Sequence, residues 1–507
     1  MAQRGSRRGT ALVAGAVVAV LLTAPAAAAA AAAEGGSDDR PGSLEVDRFV
    51  EGHIDRHGLA GVSVAVVRHG EILHAKGYGH GSTGAEVTAH TPMPLASVSK
   101  SVTAMAVLRL AEDGDIELDT PVGEYLDGFD PADPRAEEIT PRQLLDQTSG
   151  ITSHGLLSPD RQEITTTEQA ADVIAGMELG ADPGTQHEYQ NGNYWLLARL
   201  VETVSGEPFG SYLDREVFRP LGMEDSTSVD TADAFAGVDG TAPGHVDLYG
   251  FPVPREEPPD FVAGSGNAVS TAEDMARWLV PHTNGGRSVT GEPFVGVDTL
   301  TEALTPSDPA GRYGFGWRHV PGEGRVAHGG ALFGHLSYQT VTDDGLGVAV
   351  LSNTLTTSYD TAQPLAVGLG DLFEGRSPES PIPYHRIIDA VLAGLTLLSI
   401  ALGVRRLRLA GVWAERHSDR PTWRLALRLA PRLLPTLLAC GFAAAAVAGV
   451  AVVGASPRTV AAIAAGTFWP PSFTVWMVVA AAFGLATVAL RVHRLRSARS
   501  QEPSPEG

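Results

Sequence analysis

Hydrophobic and polar positions alternate with a period of two near both ends of an acidic central region, and with a helical period between them. Val62–Val67 is β-branched and is followed by His69-Gly70 and then Ile72–Tyr78, which predicts a hairpin. Leu336–Val341 and Gly347–Leu351 flank Asp343-Asp344-Gly345, a second hairpin signal. Between them, helical spacing covers Val98–Ala111 (ending at Gly114), Thr166–Met177, Asn193–Val204 (ending at Gly206) and Thr271–Leu279 after Ser270. Strands at both ends with helices in the middle predict an α+β body, whose sheet is built from its two ends around a helical insertion.

Longer apolar runs lie outside this body. Arg4, Arg7 and Arg8 precede an apolar run from Ala11 to Ala24 and poly-alanine to Ala33, the layout of a secretory signal at residues 1–33. Three further runs, Ile387–Val404, Leu433–Ala455 and Phe473–Leu490, each approach the ~20 residues that cross a bilayer. Gly375–Pro383 (GRSPESPIP) reads as a linker, so the expected organisation is a signal, a body at 34–374, a linker at 375–383 and a membrane region at 384–507.

Charge supports that division. From Tyr384 onward 14 Arg face 5 acidic residues, a net +9, so residues 1–383 carry −31 within a formal total of −22. Eight Arg between Arg405 and Arg432, and four more from Arg491 to Arg499, place those stretches in the cytoplasm by the positive-inside rule and the body outside. The second and third runs contain no acidic residue, His or Lys, which leaves a transport or proton-relay role without residues to work with. So acidic a body argues against nucleic acid as a partner. The lone Cys440 excludes a disulfide framework or a thiolate metal site.

Arg supplies every positive side chain except Lys76 and Lys100. Lys76 fits a solvated strand position. Lys100 closes Ser97-Val98-Ser99-Lys100 at the start of a helical pattern, where residues three apart share a face. A serine hydroxyl is a weak nucleophile that needs a base, and a desolvated lysine can be one, whereas Arg does not deprotonate. Tyr189-Gln190-Asn191 precedes a helix and can bring a phenol and an amide to a Ser–Lys pair. His328-Gly329-Gly330 follows the strand-like Arg325–Ala327, offering a donor or charge beside glycines that admit a substrate backbone. Taken singly, these triplets read as well as a turn tyrosine and a solvated loop histidine.

Ser97–Lys100, Tyr189–Asn191 and His328–Gly330, in this order, resemble the three active-site motifs of serine β-lactamases and penicillin-binding proteins. The likeness is closest to class C β-lactamases, D-Ala-D-Ala carboxypeptidases and related esterases. It extends to Leu118–Val122, Ile139–Gly150 (ITPRQLLDQTSG), Pro220–Met223, Ala263–Leu279 and Tyr313–Trp317, covering about residues 43–374. The resemblance implies an antiparallel sheet flanked by helices plus an all-helical lobe, with the site between them and no cofactor or metal. It further implies that Ser97 attacks a carbonyl and forms an acyl-enzyme, that Lys100 and Tyr189 move the proton, and that Asn191 binds the substrate amide. The same resemblance implies that the backbone N–H groups of Ser97 and Ala331 form the oxyanion hole and that Gly330 and His328 line the substrate. The substrate is then a small molecule or peptide, cell-wall derived among the options.

Two positions depart from the family pattern. His328 stands where a fixed lysine cation grips a substrate carboxylate, and a largely neutral imidazole shifts the expectation toward esters or amides. Gln147 replaces the histidine of a His-Thr-Ser-Gly stretch. No G-x-S-x-G elbow occurs, and His187-Glu188 lacks the second histidine of a zinc-protease helix, since position 191 is Asn. The competing reading is a membrane-bound β-lactam or peptidoglycan-fragment sensor that acylates without turnover.

Overall fold

The computed structural model describes residues 41–152, 164–241, 243–306, 311–356, 361–441, 444 and 471–500. The proposed signal at 1–33 therefore lies outside the described residues, as does most of the second apolar run.

The strands in chain order are β1 (Gly61–Arg68), β2 (Glu71–Gly79), β3 (Met93–Pro94), β4 (Thr227–Ser228), β5 (Gly244–Leu248), β6 (Phe251–Arg255), β7 (Ala268–Ser270), β8 (Tyr313–Gly314), β9 (Trp317–Val320), β10 (Arg325–Ala331), β11 (Leu336–Thr342), β12 (Leu346–Ser352) and β13 (Thr354–Leu355). Seven of them form one antiparallel sheet in the order β2-β1-β12-β11-β10-β9-β8. The first hairpin thus pairs with the last strands of the body through Val64–Val350 and its neighbours. Both hairpins predicted from the alternation are present. The first turns through His69 and Gly70, both at positive φ (49° and 81°), the tight turn that follows a strand's right-handed twist.

Period-two alternation divides this sheet between two cores. Val62, Val64 and Val66 of β1, with Leu346, Val348 and Val350 of β12, face α1 (Ser43–His57) and a late helix, Ala362–Phe373. Ala65, Val67, Ala349 and Leu351 face the helical lobe. On β10 the same rule sends Ala327 to the first core and Val326 to the second, which puts His328 and Gly330 on the lobe side.

The lobe begins with α2 (Ser99–Asp113), followed by α3 (Pro141–Leu145), α4 (Thr167–Ala175), α5 (Asn191–Ser205), α6 (Phe209–Leu213) and α7 (Arg219–Leu221). Gly114 and Gly206 end α2 and α5 in the left-handed conformation, and Thr166 caps α4 through Gln169 N–H. Beyond them come α8 (Ala272–Asn284) on the sheet, α9 (Val297–Ala303) and α10, the Ala362–Phe373 helix. The expectation that the helix after Ser270 stops near Leu279 is corrected. It starts at a Thr271 cap but runs on to Asn284 through Pro281, because the residues past that point, Val280, His282 and Thr283, stay buried with Trp278 and Leu279. Tertiary packing here outweighs the cost of a helical proline.

Residues 375–383, the expected linker, carry neither helix nor strand. After it come α11 (Tyr384–Arg408), α12 (Ala410–Glu415), α13 (Thr422–Leu429) and α14 (Pro471–Ser500). Among the described residues two helices, α11 and α14, are long and apolar enough to cross a membrane, where three were expected. Contacts rise together along them, from Ser399–Trp476 to Gly403–Phe483, so the two run in the same direction. The helical stretch 434–441 runs against α14, since Arg432 O approaches Gly484 and the Thr436 hydroxyl donates to Ala481 O.

The β5–β6 hairpin holds the body to these helices. The Tyr249 backbone N–H donates to Ser472 Oγ (2.8 Å), the Tyr249 hydroxyl meets Thr396 Oγ1 (2.8 Å) and Ser472 O (3.1 Å), and Arg386 donates to Gly250 O (3.0 Å).

Candidate active site

Ser97 sits on a single 3-10 turn, Ala96–Val98, that leads into α2. Ala96 holds φ +47°, a conformation that costs a residue with a Cβ, and so the hydroxyl stands at a strained elbow. Two contacts hold the elbow to the sheet, one from β11 and one from β10. Ser337 Oγ donates to Leu95 O (2.6 Å), and Gly330 passes so close that a Cβ there would meet Leu95 O at 2.3 Å.

Lys100 lies one turn further along and is fully buried. Its Nζ lies 3.3 Å from Ser97 Oγ, 2.9 Å from Asn191 Oδ1 and 2.7 Å from Ser265 O, with the Tyr189 ring centroid at 4.9 Å. None of these partners is a carboxylate. Burial drives the Lys100 pKa below the usual lysine range, with the Arg318 charge acting in the same direction and the Tyr189 phenol opposing. A neutral amine with one lone pair toward the Ser97 hydroxyl is what a general base requires.

Tyr189 and Asn191 are held by a residue for which the sequence offered no account. Gln147, buried and at φ +61°, accepts from Gln190 N–H (2.8 Å) and Asn193 Nδ2 (2.5 Å) through its side-chain oxygen, and its carbonyl accepts from Glu188 N–H (2.9 Å). Its side chain therefore fastens the turn that carries Tyr189 and the start of α5, which carries Asn191. Ser265 supplies a second fixed point, its carbonyl on Lys100 and its hydroxyl accepting from Trp195 Nε1 (3.1 Å).

His328 lies inside β10 rather than on a loop after it, and it is buried. Its Nδ1 donates to Gly329 O (2.8 Å) and its Nε2 accepts from the Tyr313 hydroxyl (3.3 Å). Burial, with Lys100 and Arg318 nearby, pulls its pKa down to about 3, so the ring is neutral. Both nitrogens are engaged within the protein, and the charge or donor expected of it is not turned outward. Gly330 follows on the same face, and Ala331 ends the strand opposite Leu336.

The exposed cation in this group is Arg318 on β9. Its guanidinium carbon lies 5.1 Å from the Tyr189 ring centroid and 5.6 Å from that of Tyr313, and no ion pair holds it among the described residues. Arg318 falls one residue past the Tyr313–Trp317 segment picked out in the sequence, and an Arg beside an aromatic run was its only sequence signal. His187 packs on Tyr313 with ring centroids 5.6 Å apart, and burial lowers its pKa. Among the described residues no group of three or more His, Cys, Asp or Glu could hold a metal.

Comparisons with known proteins fit this geometry. The family described as Beta-lactamase matches residues 46–371. The chain is 30% identical over 367 residues to Penicillin-binding protein 4 of Amycolatopsis lactamdurans, covering 67% of this chain and 93% of that one. It is 26% identical to Protein flp of Staphylococcus aureus strain N315 over 325 residues, 61% of this chain and 62% of that protein, so it spans less than two thirds of that relative's length. Among solved structures, the octameric penicillin-binding protein homologue from Pyrococcus abyssi superposes with TM-score 0.56 at 25% identity, covering 70% of this chain and 81% of that one. EstCE1, a hydrolase with promiscuous acyltransferase activity, gives TM-score 0.53 at 22% identity over 65% of this chain and 98% of that one, a likeness of fold.

Proposed function

Because the chain belongs to the Beta-lactamase family, whose members are serine hydrolases, we propose that it hydrolyses an ester or amide bond through an acyl-enzyme on Ser97, with Lys100 as base. Neutral Lys100 takes the Ser97 proton as Oγ bonds to the substrate carbonyl carbon. The backbone N–H groups of Ser97 and Ala331 receive the oxyanion, each such donor contributing about 2.7–4 kcal/mol in comparable sites. The proton held by Lys100 passes, with Tyr189 as relay, to the leaving oxygen or nitrogen as the C–O or C–N bond breaks. Water then adds to the ester of Ser97 with the same groups acting in reverse, releasing the acid and restoring the hydroxyl. Asn191 and the Gly330 edge of β10 hold the substrate amide. His328 contributes through Tyr313, and Arg318 serves as the anchor for a substrate carboxylate, so that acidic substrates such as cell-wall peptides return to consideration beside esters.

One observation carries the reading: a fully buried lysine, free of any carboxylate, within 3.3 Å of a serine on a strained elbow. Lys100→Arg keeps the charge but cannot accept a proton. In the purified full-length chain it should lower the acylation rate by about 10²–10⁴ with unchanged circular dichroism. Retention of most of the turnover would make Lys100 a structural cation. Repeated turnover also separates the enzyme from a sensor, which stops after one equivalent.

The proposal extends to placement: body outside, three spans, and the Arg-rich segments in the cytoplasm. What supports it is the charge division and the shared direction of α11 and α14, since chain joining two parallel helices has to return across the same thickness. The partners proposed are a small-molecule or peptide substrate and the bilayer, with no nucleic acid.

A further inference from the structure

Toward the end of α14 furthest from the body, a buried arginine feels the charges of two others, one of them exposed, without a counter-charge among the described residues. Arg491 is 5% exposed, although it is a cation at the end of an apolar run. Its guanidinium carbon stacks 4.6 Å from the Trp413 ring centroid, and its Nε and Nη1 have no hydrogen-bond partner. The charges that act on it are Arg432, whose buried Nε is also unpartnered, and Arg406 of α11. Arg432 is brought in by Gly484, where a Cβ would stand 2.2 Å from its carbonyl. Arg432 donates its Nη1 to Arg428 O and Arg499 donates to Ser418 O and Arg420 O, which leaves Arg432 Nε and Arg491 Nε and Nη1 as the unmade donors.

No protein carboxylate answers this cluster among the described residues. The segment 409–470 holds only two acidic residues, Glu415 and Asp419, and neither forms an ion pair among the described residues. Three guanidinium groups repel one another, and a buried one with unmade donors is stable when an anion completes it. Their flat, forked donors match tetrahedral phosphate oxygens.

The surroundings say whose phosphate it is. Leu425 and Leu429 of α13 pack inward with Ala414 and Leu495, while Trp423 (58% exposed) and Leu427 (65% exposed), one turn apart, present an apolar face beside Arg424 and Arg428. That pattern suits a helix lying in a lipid interface. From Ser472, held by the body's hairpin, to Arg491 the helix rises about 28 Å, close to the thickness of bilayer hydrocarbon. We propose that Arg406, Arg432 and Arg491 form a binding site for the headgroup phosphate of an anionic phospholipid, at the membrane face opposite the hydrolase body. The inference rests on α11 and α14 crossing a bilayer, but not on the chemistry assigned to Ser97.

The test uses the full-length chain in a neutral detergent, with lipid adducts counted by native mass spectrometry and Trp fluorescence followed in parallel. Dioleoylphosphatidylglycerol should bind saturably and at least tenfold more tightly than dioleoylphosphatidylcholine. Arg491→Gln, and separately Arg432→Gln, should each weaken it about tenfold or more, while Arg420→Gln, outside the cluster, leaves it unchanged. The unaltered melting temperature of the body checks folding, and Arg432→Gln decides the matter if Arg491→Gln does not fold. Equal binding of the two lipids, or no effect of either cluster variant, overturns the site. Saturation by inorganic phosphate with the same Arg491 dependence, and no preference for the anionic lipid, overturns the lipid assignment in favour of a free anion. Retention in membranes after an alkaline carbonate wash reports separately on whether the helices span.

Discussion

At the scale of single residues, the grouping of side chains was legible where a residue type is chemically irreplaceable. In a chain with two lysines, Lys100 was singled out because arginine cannot act as a base, and it does stand beside Ser97; Lys76, on β2, pairs at 2.8 Å with Asp47 of α1. Roles that depend on what surrounds a side chain were not legible. His328 looked like an outward donor, and only the strand register and its bonds to Gly329 and Tyr313 turn it inward. Gln147 had no reading until its bonds to the 188–193 turn appeared, and Arg318 needed three-dimensional proximity to two rings. Arg318 yields the residue-scale prediction. Arg318→Gln should lower kcat/KM on substrates bearing a carboxylate, such as D-alanyl peptides, about 10- to 100-fold, as expected for loss of a hydrogen bond to a charged group. The same variant should leave short-chain aryl esters within about twofold. A uniform fall on both classes, read from the ratio of the two specificity constants, would count against Arg318 as a carboxylate anchor.

Among the elements, the hairpins and helix starts followed from local signals, since turn residues and caps act within a few positions. The end of α8 did not, because burial of Trp278 and Leu279 against the sheet is a tertiary fact. The most consequential element contact is the approach of β10 to the elbow that carries Ser97, which nothing in the order of residues announces beyond a glycine pair. Gly330→Ala should therefore be costly. The added methyl meets Leu95 O, the Ser337 hydroxyl and Ala96, so either the elbow or the strand has to move. A destabilisation of about 1–3 kcal/mol is expected from overpacking, together with loss of acylation out of proportion to the fraction unfolded. Urea denaturation and active-site titration with a fluorophosphonate probe would measure the two effects. A variant with wild-type stability and labelling would mean that the elbow and β10 are not tightly coupled.

On the scale of the whole molecule, the expected division into signal, body, linker and apolar region rests on composition and charge alone, whereas the docking of the body on the apolar helices was invisible in sequence. The hairpin at Tyr249 does it, and Asp247 beside it is buried against Asp389 of α11, with Arg386 and the Gly250 N–H also facing it. Burial first, then the Asp389 charge, pushes the Asp247 pKa up to about 7. A carboxyl raised from ~3.9 favours the docked state fully below about pH 4, and that contribution fades as pH climbs through 7. Hydrogen exchange in residues 244–255 of the full chain, corrected for intrinsic rates, should show more protection at pH 5.5 than at pH 8. Asp247→Asn should abolish the difference, and a pH difference that survives it would point to another group. Orientation has its own check. Alkaline phosphatase fused within Gly375–Pro383 should be active and within Ser418–Pro421 inactive, and the reverse pattern would invert the topology. The docking also has a consequence for how such an enzyme searches. A nine-residue linker on its own would let the cleft wander over roughly 30 Å. Bolted through Tyr249 and Arg386, it would, under the proposed membrane placement, instead keep a fixed altitude above the lipid, as a reading head does above its disc. Bonds presented at that height would be sampled by lateral drift in two dimensions, and the same bonds a few nanometres higher would never be met, so that the proposed hydrolase would select its targets by elevation as well as by chemistry.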